Sequence, residues 1–295
     1  MNVNVKRIPQ IIYNRNPIRI IKDDRLRELD NQRHAYKKVI KFCDERYNSV
    51  LNSTDLNRCE VSEHSFNNDV WVYWAQGWKN TPQIIEICNK SLNAHLKDWN
   101  IHLLDDDNID QYVEIPDIIR LRRLDNKISI AHYSDIIRLL LLEKWGGIWI
   151  DSTVFFSGSD MINELKTLDL FMFQDIHNPY ANVSNWLILA KSNSRILAII
   201  KSLLLDFYST HDCLYHYFMF HMIVNYVSKK ECSEWNKMPV YLNCQSLLLG
   251  SQINNEYREN VYQAIISQTD IHKLSYKCLD ETKKSSYYKY IINLY

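Results

Sequence analysis

The spacing of apolar and polar residues changes several times along the chain, and each spacing predicts a helix, a strand or a loop. Residues 17–52 interleave charged and apolar positions with no glycine or proline after Pro17, which predicts one long helix. Residues 53–68 are polar and loop-like. We therefore expect residues 1–60 to form a helical extension at the N-terminus and residues 61–295 to form the main domain.

The main domain alternates short apolar runs with longer helical patterns. Strands are predicted at the runs rich in β-branched and aromatic residues, which are 70–74, 99–104, 148–156, 168–174 and 186–190. Helices are predicted at 82–95, 105–112, 133–144, 194–208 and 212–227. The order strand–helix–strand–helix–strand favours an α/β fold with a largely parallel sheet flanked by helices.

The pair Gly146-Gly147 is the most informative local feature, because the chain has only five glycines among 295 residues. A glycine pair ends a helix and lets the backbone turn sharply into a strand. The strand that follows carries Asp151, beside the hydroxyl groups of Ser152 and Thr153. Oxygen groups of this kind suit a divalent cation and a diphosphate, and the alternative is an ordinary turn residue at a strand end.

Ligands of open α/β sheets bind beyond the carboxyl ends of the strands. Residues 74–77 follow the first predicted strand, residues 105–107 follow the second, and residues 151–153 lie within the third. We expect these segments to border one pocket. For the three consecutive Asp residues at 105–107, capping of the next helix is the favoured interpretation and a metal cluster is the alternative.

A second candidate group is formed by Ser134, Asp135 and Arg138. Ser134 predicts the N-cap of the helix at 133–144, with Asp135 in the first turn, where a carboxylate suits the helix dipole. Asp135 and Arg138 are three residues apart and share a helix face. They form either a cap with a surface ion pair or a ligand-binding group that faces the same cavity as Asp151.

Four further polar or aromatic residues are weaker candidates. Asn185 is expected to reach a ligand, while Trp186 is expected to pack as a wedge. His216 and His221 are predicted on one helix, five residues apart, so only one of them is expected to face a site. A lone histidine on an aromatic helix belongs to the core more often than to a binding site.

Composition narrows the function classes. The formal net charge is zero, which gives no electrostatic case for binding nucleic acid. Residues 1–48 are locally basic, which indicates either a solvated helix face or contact with an anionic membrane surface. The seven cysteines form no Cys-x-x-Cys motif, so we expect buried thiols in a reducing cytoplasm. The first residues lack the apolar core of a signal peptide, and no run is long enough to span a membrane.

Residues 134–153 resemble the signature of bacterial capsular polysaccharide synthesis proteins. These are GT-A glycosyltransferases, with a Rossmann-like sheet, and are related to the Asp-x-Asp group of initiating mannosyltransferases and clostridial glucosylating toxins. Supporting matches lie at 70–77 with Thr81-Pro82, at 184–190 and at 217–221, so the resemblance covers residues 70–225.

The resemblance implies a nucleotide-sugar donor, expected to be UDP-linked, a Mn²⁺ or Mg²⁺ ion, and retention of anomeric configuration. It assigns donor contacts to Ser134, Asp135 and Arg138, with catalytic roles for Asp135 and Arg138. It assigns the metal to Asp151 with Thr153. The nucleotide base would lie beside the residues Trp71, Tyr73, Trp74 and Gln76. The donor's sugar and diphosphate would lie near the residues Asn185, Trp186 and His221.

Two features remain open within this resemblance. The chain has Asp151-Ser152-Thr153 where the wider group has Asp-x-Asp, so Thr153 takes the second ligand position. No clear carboxylate nucleophile stands out, although Asp175 is a candidate to lie near the anomeric carbon.

The expected function is a metal-dependent hexosyltransferase that extends a capsular or cell-surface polysaccharide on a lipid-linked saccharide acceptor. Residues 61–295 would be its catalytic domain, and the protein would be cytoplasmic with peripheral contact at the inner face of the plasma membrane. The alternatives are a toxin-like transferase that modifies proteins and a nucleotide-sugar-binding module without turnover.

Overall fold

The computed structural model describes residues 24–52, 67–277 and 279–295. The strands are β1 (Asp69–Tyr73), β2 (Asn100–Leu104), β3 (Gly147–Ile150), β4 (Val154–Phe156), β5 (Leu170–Gln174), β6 (Val183–Ala190) and β7 (Ile271–Lys273). The helices are α1 (Asp24–Leu51), α2 (Gln83–His95), α3 (Asp117–Leu124), α4 (Ile130–Trp145), α5 (Asp160–Leu165), α6 (Arg195–Thr210), α7 (Met219–Lys230), α8 (Cys232–Trp235), α9 (Asn243–Gln252), α10 (Glu259–Ile266) and α11 (Tyr287–Ile291).

The central sheet has five strands in the order β2-β1-β3-β6-β5. β1 pairs in parallel with both β2 and β3, whereas β6 runs antiparallel to β3 and β5. Four of the five strands therefore point the same way. This confirms the prediction of an α/β fold with a mostly parallel sheet flanked by helices.

The predicted strand at 148–156 is wrong as a single element, because the chain turns within it. The Asp151 N–H donates to the Trp186 carbonyl at 2.8 Å, and the Val154 N–H donates back to the Asp151 carbonyl at 3.0 Å. The backbone thereby leaves the central sheet and forms β4, which pairs with β7 in a second, two-stranded sheet. Asp151 consequently lies at the junction of the two sheets.

Two predicted helix starts are also wrong. α4 begins one turn earlier than expected, because the Ser129 hydroxyl accepts a hydrogen bond from the His132 N–H and caps it. Asp135 therefore lies in the second turn and not at the helix N-terminus. α7 begins only at Met219, so His216 precedes the helix that carries His221.

The helix α1 packs against α6 and α7, and Val39, Phe42 and Cys43 on it are buried in the main hydrophobic core. Residues 1–23 and 53–66 lie outside the described residues, so the division at residue 60 stays a prediction. Cys43 and Cys88 are buried as expected, but Cys213, Cys232 and Cys244 are exposed. In the part of the chain described, no helix is both long and apolar enough to cross a membrane.

The glycine pair joins α4 to β3 as predicted. Gly146 has φ of +71° and its N–H donates to the Leu142 carbonyl, which ends the helix. Gly147 has φ of +92° and runs so close to β1 that a Cβ atom would lie 2.3 Å from the Asp69 carbonyl oxygen. Only glycine satisfies both the backbone conformation and this close approach.

Replacing Gly147 with Ala should lower the free energy of unfolding, measured by chemical denaturation. Positive φ costs about 1–2 kcal/mol, and the clash with the β1 backbone adds about 1–3 kcal/mol. Gly77→Ala is the matched control, because Gly77 has φ of +80° but nothing nearer than 4.0 Å to the added Cβ. Equal losses in the two variants would contradict the close-approach argument.

Candidate active site

Two adjoining cavities open at the carboxyl ends of β1 and β3. Cavity A, of about 370 Å³, is lined by polar residues that include Asp135, Arg138 and Asn185. Cavity B, of about 450 Å³, is lined by residues that include Trp74 and Tyr276. Ala131, Ser134, Asp151 and Tyr217 line both cavities, so they form one continuous groove.

The side chain of Arg138 is the central charge of cavity A, although it is only 3% exposed. Its guanidinium donates to the Asn185 carbonyl at 2.6 Å and to the Ser134 hydroxyl at 3.0 Å. It also lies 3.3 Å from the carboxylate of Asp135 and 3.6 Å from that of Asp151. A buried cation requires such partners, so Arg138 fixes the two carboxylates relative to each other.

Asp135 is buried and accepts a hydrogen bond from the Asn185 side-chain amide at 2.8 Å. Burial raises the pKa of Asp135 to about 6, although Arg138 opposes that rise. The carboxylate is therefore ionised at neutral pH but gains its proton under mildly acidic conditions. In its ionised state it can accept hydrogen bonds from ligand hydroxyl groups in cavity A.

Asp151 is the more accessible of the two acids, with about 26% of its side chain exposed. The Trp149 indole N–H donates to one carboxylate oxygen at 2.9 Å, and the Lys273 ammonium group donates to the other at 2.8 Å. Burial by itself would raise the pKa of Asp151, but the charges of Lys273 and Arg138 outweigh it and hold the pKa below its usual range.

The pair Asp151 and Thr153 does not form the open oxygen site that the sequence predicts for a metal. Thr153 is buried, lines neither cavity, and accepts a hydrogen bond from the Lys273 ammonium group at 2.6 Å. The same ammonium group therefore occupies the space between the two expected ligands. Nowhere in residues 24–52, 67–277 and 279–295 do three or more His, Cys, Asp or Glu residues form a group that could hold a metal ion. The residues present do not fit a divalent cation.

His221 contributes a neutral polar group to cavity A. Burial lowers the pKa of its imidazole to about 3, and the nearby charge of Arg138 adds to this effect. Its Nδ1 atom is buried and has no hydrogen-bond partner among the described residues. His221 lines cavity A, so its imidazole can contact a ligand there.

The remaining predicted donor residues are divided between the groove and the core. Tyr73, Trp74 and Gln76 line cavity B, whereas Asp175, Asn185 and Trp186 line cavity A. The prediction that Trp71 lies beside the nucleotide base is wrong. Its indole N–H donates to the Gly146 carbonyl at 2.8 Å, and its ring stacks on His102 in the core. It lines neither cavity, although it shares a strand face with Tyr73, which lies two residues further along at the carboxyl end of β1. Trp71 lies in the middle of β1, away from the end of the sheet at which ligands bind.

Of the acidic residues 105–107, only Asp105 caps the turn after β2, and the helix predicted at 105–112 is wrong, because only a 3-10 turn forms at Ile109–Gln111. The Asp105 carboxylate accepts hydrogen bonds from the N–H groups of Asp107 and Asn108. Asp106 pairs with Arg123 and accepts a hydrogen bond from the Tyr73 hydroxyl.

Four residues that the sequence did not predict as site residues also line the groove, namely Lys273, Tyr217, Tyr276 and Lys277. Lys273 and Lys277 come from a short C-terminal strand and the loop after it, far along the chain from Asp151. The strand Ile271–Lys273 has only three residues and no apolar–polar alternation, so its sequence predicts neither a strand nor a site.

The fold and the groove define a class of protein: a mixed α/β protein whose polar, charge-lined cavity adjoins an aromatic one. A family model described as "Capsular polysaccharide synthesis protein" matches residues 19–291, and the chain belongs to this family. This confirms the resemblance drawn from residues 134–153.

Two curated proteins are partly similar to the chain. One is the O-glycosyltransferase braB of Annulohypoxylon truncatum, 29% identical over 121 residues, which are 38% of this chain and 28% of that protein. The other is the O-glycosyltransferase PaGT of Phomopsis amygdali, 28% identical over 96 residues, which are 28% of this chain and 23% of that protein. The chain thus spans about a quarter of the length of these relatives.

Among solved structures, the chain is similar to one titled "PaToxG Glycosyltransferase", with a TM-score of 0.41 and 14% sequence identity. The match covers 70% of this chain and 83% of that chain.

Replacing Arg138 with Met should lower the free energy of unfolding by about 3–5 kcal/mol near pH 8, because the buried carboxylate of Asp135 loses its cation, whereas Asp151 keeps Lys273. The loss should shrink towards pH 5, since Asp135 then takes up a proton and its unpaired charge disappears. Chemical denaturation at both pH values measures the difference.

Arg120→Met is the control for that measurement, because Arg120 pairs with Asp110 at the surface. An exposed pair contributes about 1 kcal/mol or less. Similar losses in the Arg138 and Arg120 variants would show that the buried cluster is not held by Arg138.

Proposed function

We propose that this protein is a glycosyltransferase that moves a sugar from a nucleotide-sugar donor to a saccharide acceptor. The observation that carries the proposal is the continuous groove, in which a buried cluster of Arg138, Asp135 and Asn185 adjoins an aromatic cavity at Asp151. Membership of the capsular polysaccharide synthesis family and the printed names of the two curated relatives support it.

In this proposal the donor lies along the groove. Its base rests in cavity B, where the rings of Trp74 and Tyr276 meet edge to face with centroids 5.3 Å apart. Its sugar enters cavity A, where the Asp135 carboxylate and the imidazole of His221 accept hydrogen bonds from hydroxyl groups. Its diphosphate lies between them, near Lys273, where the positive charge of the groove is exposed.

The reaction replaces one C–O bond with another at the anomeric carbon. The bond to the diphosphate breaks with its electron pair leaving on the phosphate oxygen, and the acceptor hydroxyl forms the new bond. The acceptor's proton passes to the departing diphosphate. We propose attack from the face that the diphosphate leaves, with retention of configuration, and Asp175 in cavity A as the carboxylate nearest the developing positive charge.

The donor is proposed to be a UDP-hexose and the acceptor a lipid-linked saccharide of a capsule or another cell-surface polysaccharide. The exposed Tyr217 and Leu247 at cavity A offer apolar surface for such an acceptor. A GT-A topology, a cytoplasmic location and peripheral membrane contact remain parts of the proposal. A protein acceptor is the alternative that an acceptor comparison tests.

Nucleotide release from a panel of UDP-, GDP- and dTDP-sugars tests the proposal directly. We expect release from one donor, and a decrease of roughly 10- to 100-fold in Asp135→Asn, because charged hydrogen bonds to the sugar are lost. Asp125→Asn removes an exposed acid that lines neither cavity and should leave the rate unchanged. Donor binding without release, with or without lipid-linked acceptor, would favour a binding module.

Donor binding should weaken as the pH falls through about 6, because Asp135, with its pKa raised to about 6 by burial, is then protonated. Its stabilising charge towards sugar hydroxyls is present above this pH and absent below it. Calorimetric titration of the intact nucleotide sugar between pH 7.5 and 5 measures the change, since neither of its phosphates titrates in that range. Asp135→Asn should give a flat profile, and an equal decrease in this variant would assign the effect to another group.

A further inference from the structure

We propose that the ammonium group of Lys273 takes the place of the divalent metal ion, so that the diphosphate is bound and released without a metal. This inference rests on the proposed glycosyltransferase function. It assigns to Lys273 the role of electrostatic partner for the leaving group.

The geometry places Lys273 where the metal was expected. Its Nζ atom lies 2.8 Å from the Asp151 carboxylate and 2.6 Å from the Thr153 hydroxyl. An ammonium group has three N–H donors, and these two acceptors use two of them. Because Lys273 also lines cavity A, its third N–H can reach a phosphate oxygen there.

The charges around Lys273 make a metal at the same place unfavourable. Two cationic side chains already approach Asp151, since Arg138 lies 3.6 Å from its carboxylate and Lys273 lies 2.8 Å away. A divalent cation bound to Asp151 would lie within a few ångströms of both positive groups, and the repulsion would be large in this partly buried place. A diphosphate, in contrast, is attracted by both positive groups.

The fold holds Lys273 through its backbone. The residue lies in β7 opposite Val154 of β4, and the next N–H, that of Leu274, donates to the Thr153 carbonyl at 2.9 Å. On the other side, Gly250 of α9 lies so close that a Cβ atom there would be 2.6 Å from the Lys273 carbonyl oxygen. This lysine is therefore fixed relative to the turn that carries Asp151.

In the transfer step, Lys273 acts on the departing group. As the bond between the anomeric carbon and the diphosphate oxygen breaks, its electron pair stays on that oxygen and negative charge accumulates. The Lys273 N–H donates to the diphosphate and stabilises this charge, while the acceptor oxygen bonds to the anomeric carbon and its proton goes to the diphosphate. The transfer reaction needs no oxidant, reductant or further reactant.

The test combines binding and turnover in wild type, Lys273→Met and Lys273→Arg, all freed of metal with EDTA. Calorimetry compares UDP and GDP with uridine and guanosine, and the nucleotide-sugar panel measures release with EDTA and with added Mn²⁺. Lys97→Met is the matched control, because Lys97 is exposed and lines neither cavity. Circular dichroism establishes that each variant is folded.

The expected result is diphosphate binding and release in EDTA that Mn²⁺ does not increase. Lys273→Met should weaken nucleoside diphosphate binding and slow release by about 10- to 100-fold, as expected for a lost charged hydrogen bond. Nucleoside binding should not change, and Lys273→Arg should retain part of the activity because it keeps the positive charge. If Lys273→Met fails to fold, nucleotide release by the wild type and by Lys273→Arg, compared in EDTA and in Mn²⁺, still tests the inference.

Two results would overturn the inference in different ways. Release that disappears in EDTA and returns with Mn²⁺ would refute the role of Lys273 while leaving the glycosyltransferase function intact. No diphosphate binding and no release from any donor, with or without Mn²⁺, would refute the proposed function together with this inference.

Discussion

The buried charge of Arg138 is the constraint on which the site depends. A guanidinium that is only 3% exposed must be surrounded by acceptors, and the fold supplies them from several directions. α4 contributes Ser134 and Asp135, β6 contributes the Asn185 carbonyl, and the end of β3 contributes Asp151. Arg138 thus contacts the helix α4, the antiparallel strand β6 and the end of the parallel strand β3 at the place where cavity A opens.

The glycine pair explains how such a cluster arises from one continuous segment. α4 must end, reverse and enter the sheet within a few residues for Asp135 and Asp151 to face the same cation. Gly146 and Gly147 make this possible, because both adopt positive φ and lie against backbone atoms of neighbouring segments. The turn after Asp151 then sends the chain into the second sheet, which brings Lys273 beside the same carboxylate.

The sequence predicted those features of the structure that depend on residues close together in the chain. The α/β class, the glycine turn and the shared helix face of Asp135 and Arg138 follow from helix and strand periods and from spacing. The placement of Asn185 beside them was implied by the family resemblance. Trp71 could not be placed in this way, because it shares a strand face with Tyr73, and only tertiary packing decides that Tyr73 reaches the groove while Trp71 stays in the core. Lys273 could not be predicted for a different reason. It contacts Asp151 because β7 pairs with β4, more than a hundred residues earlier in the chain, and no local sequence pattern indicates that pairing.

The manganese position in a crystal soaked with UDP and Mn²⁺ tests the central claim most directly, since anomalous scattering distinguishes Mn²⁺ from water and sodium. The account predicts that the diphosphate lies in the groove within about 3 Å of the Lys273 Nζ atom. It also predicts no anomalous peak at Asp151. A manganese ion bound to the Asp151 carboxylate at about 2.2 Å, with Lys273 displaced from Thr153, would contradict it.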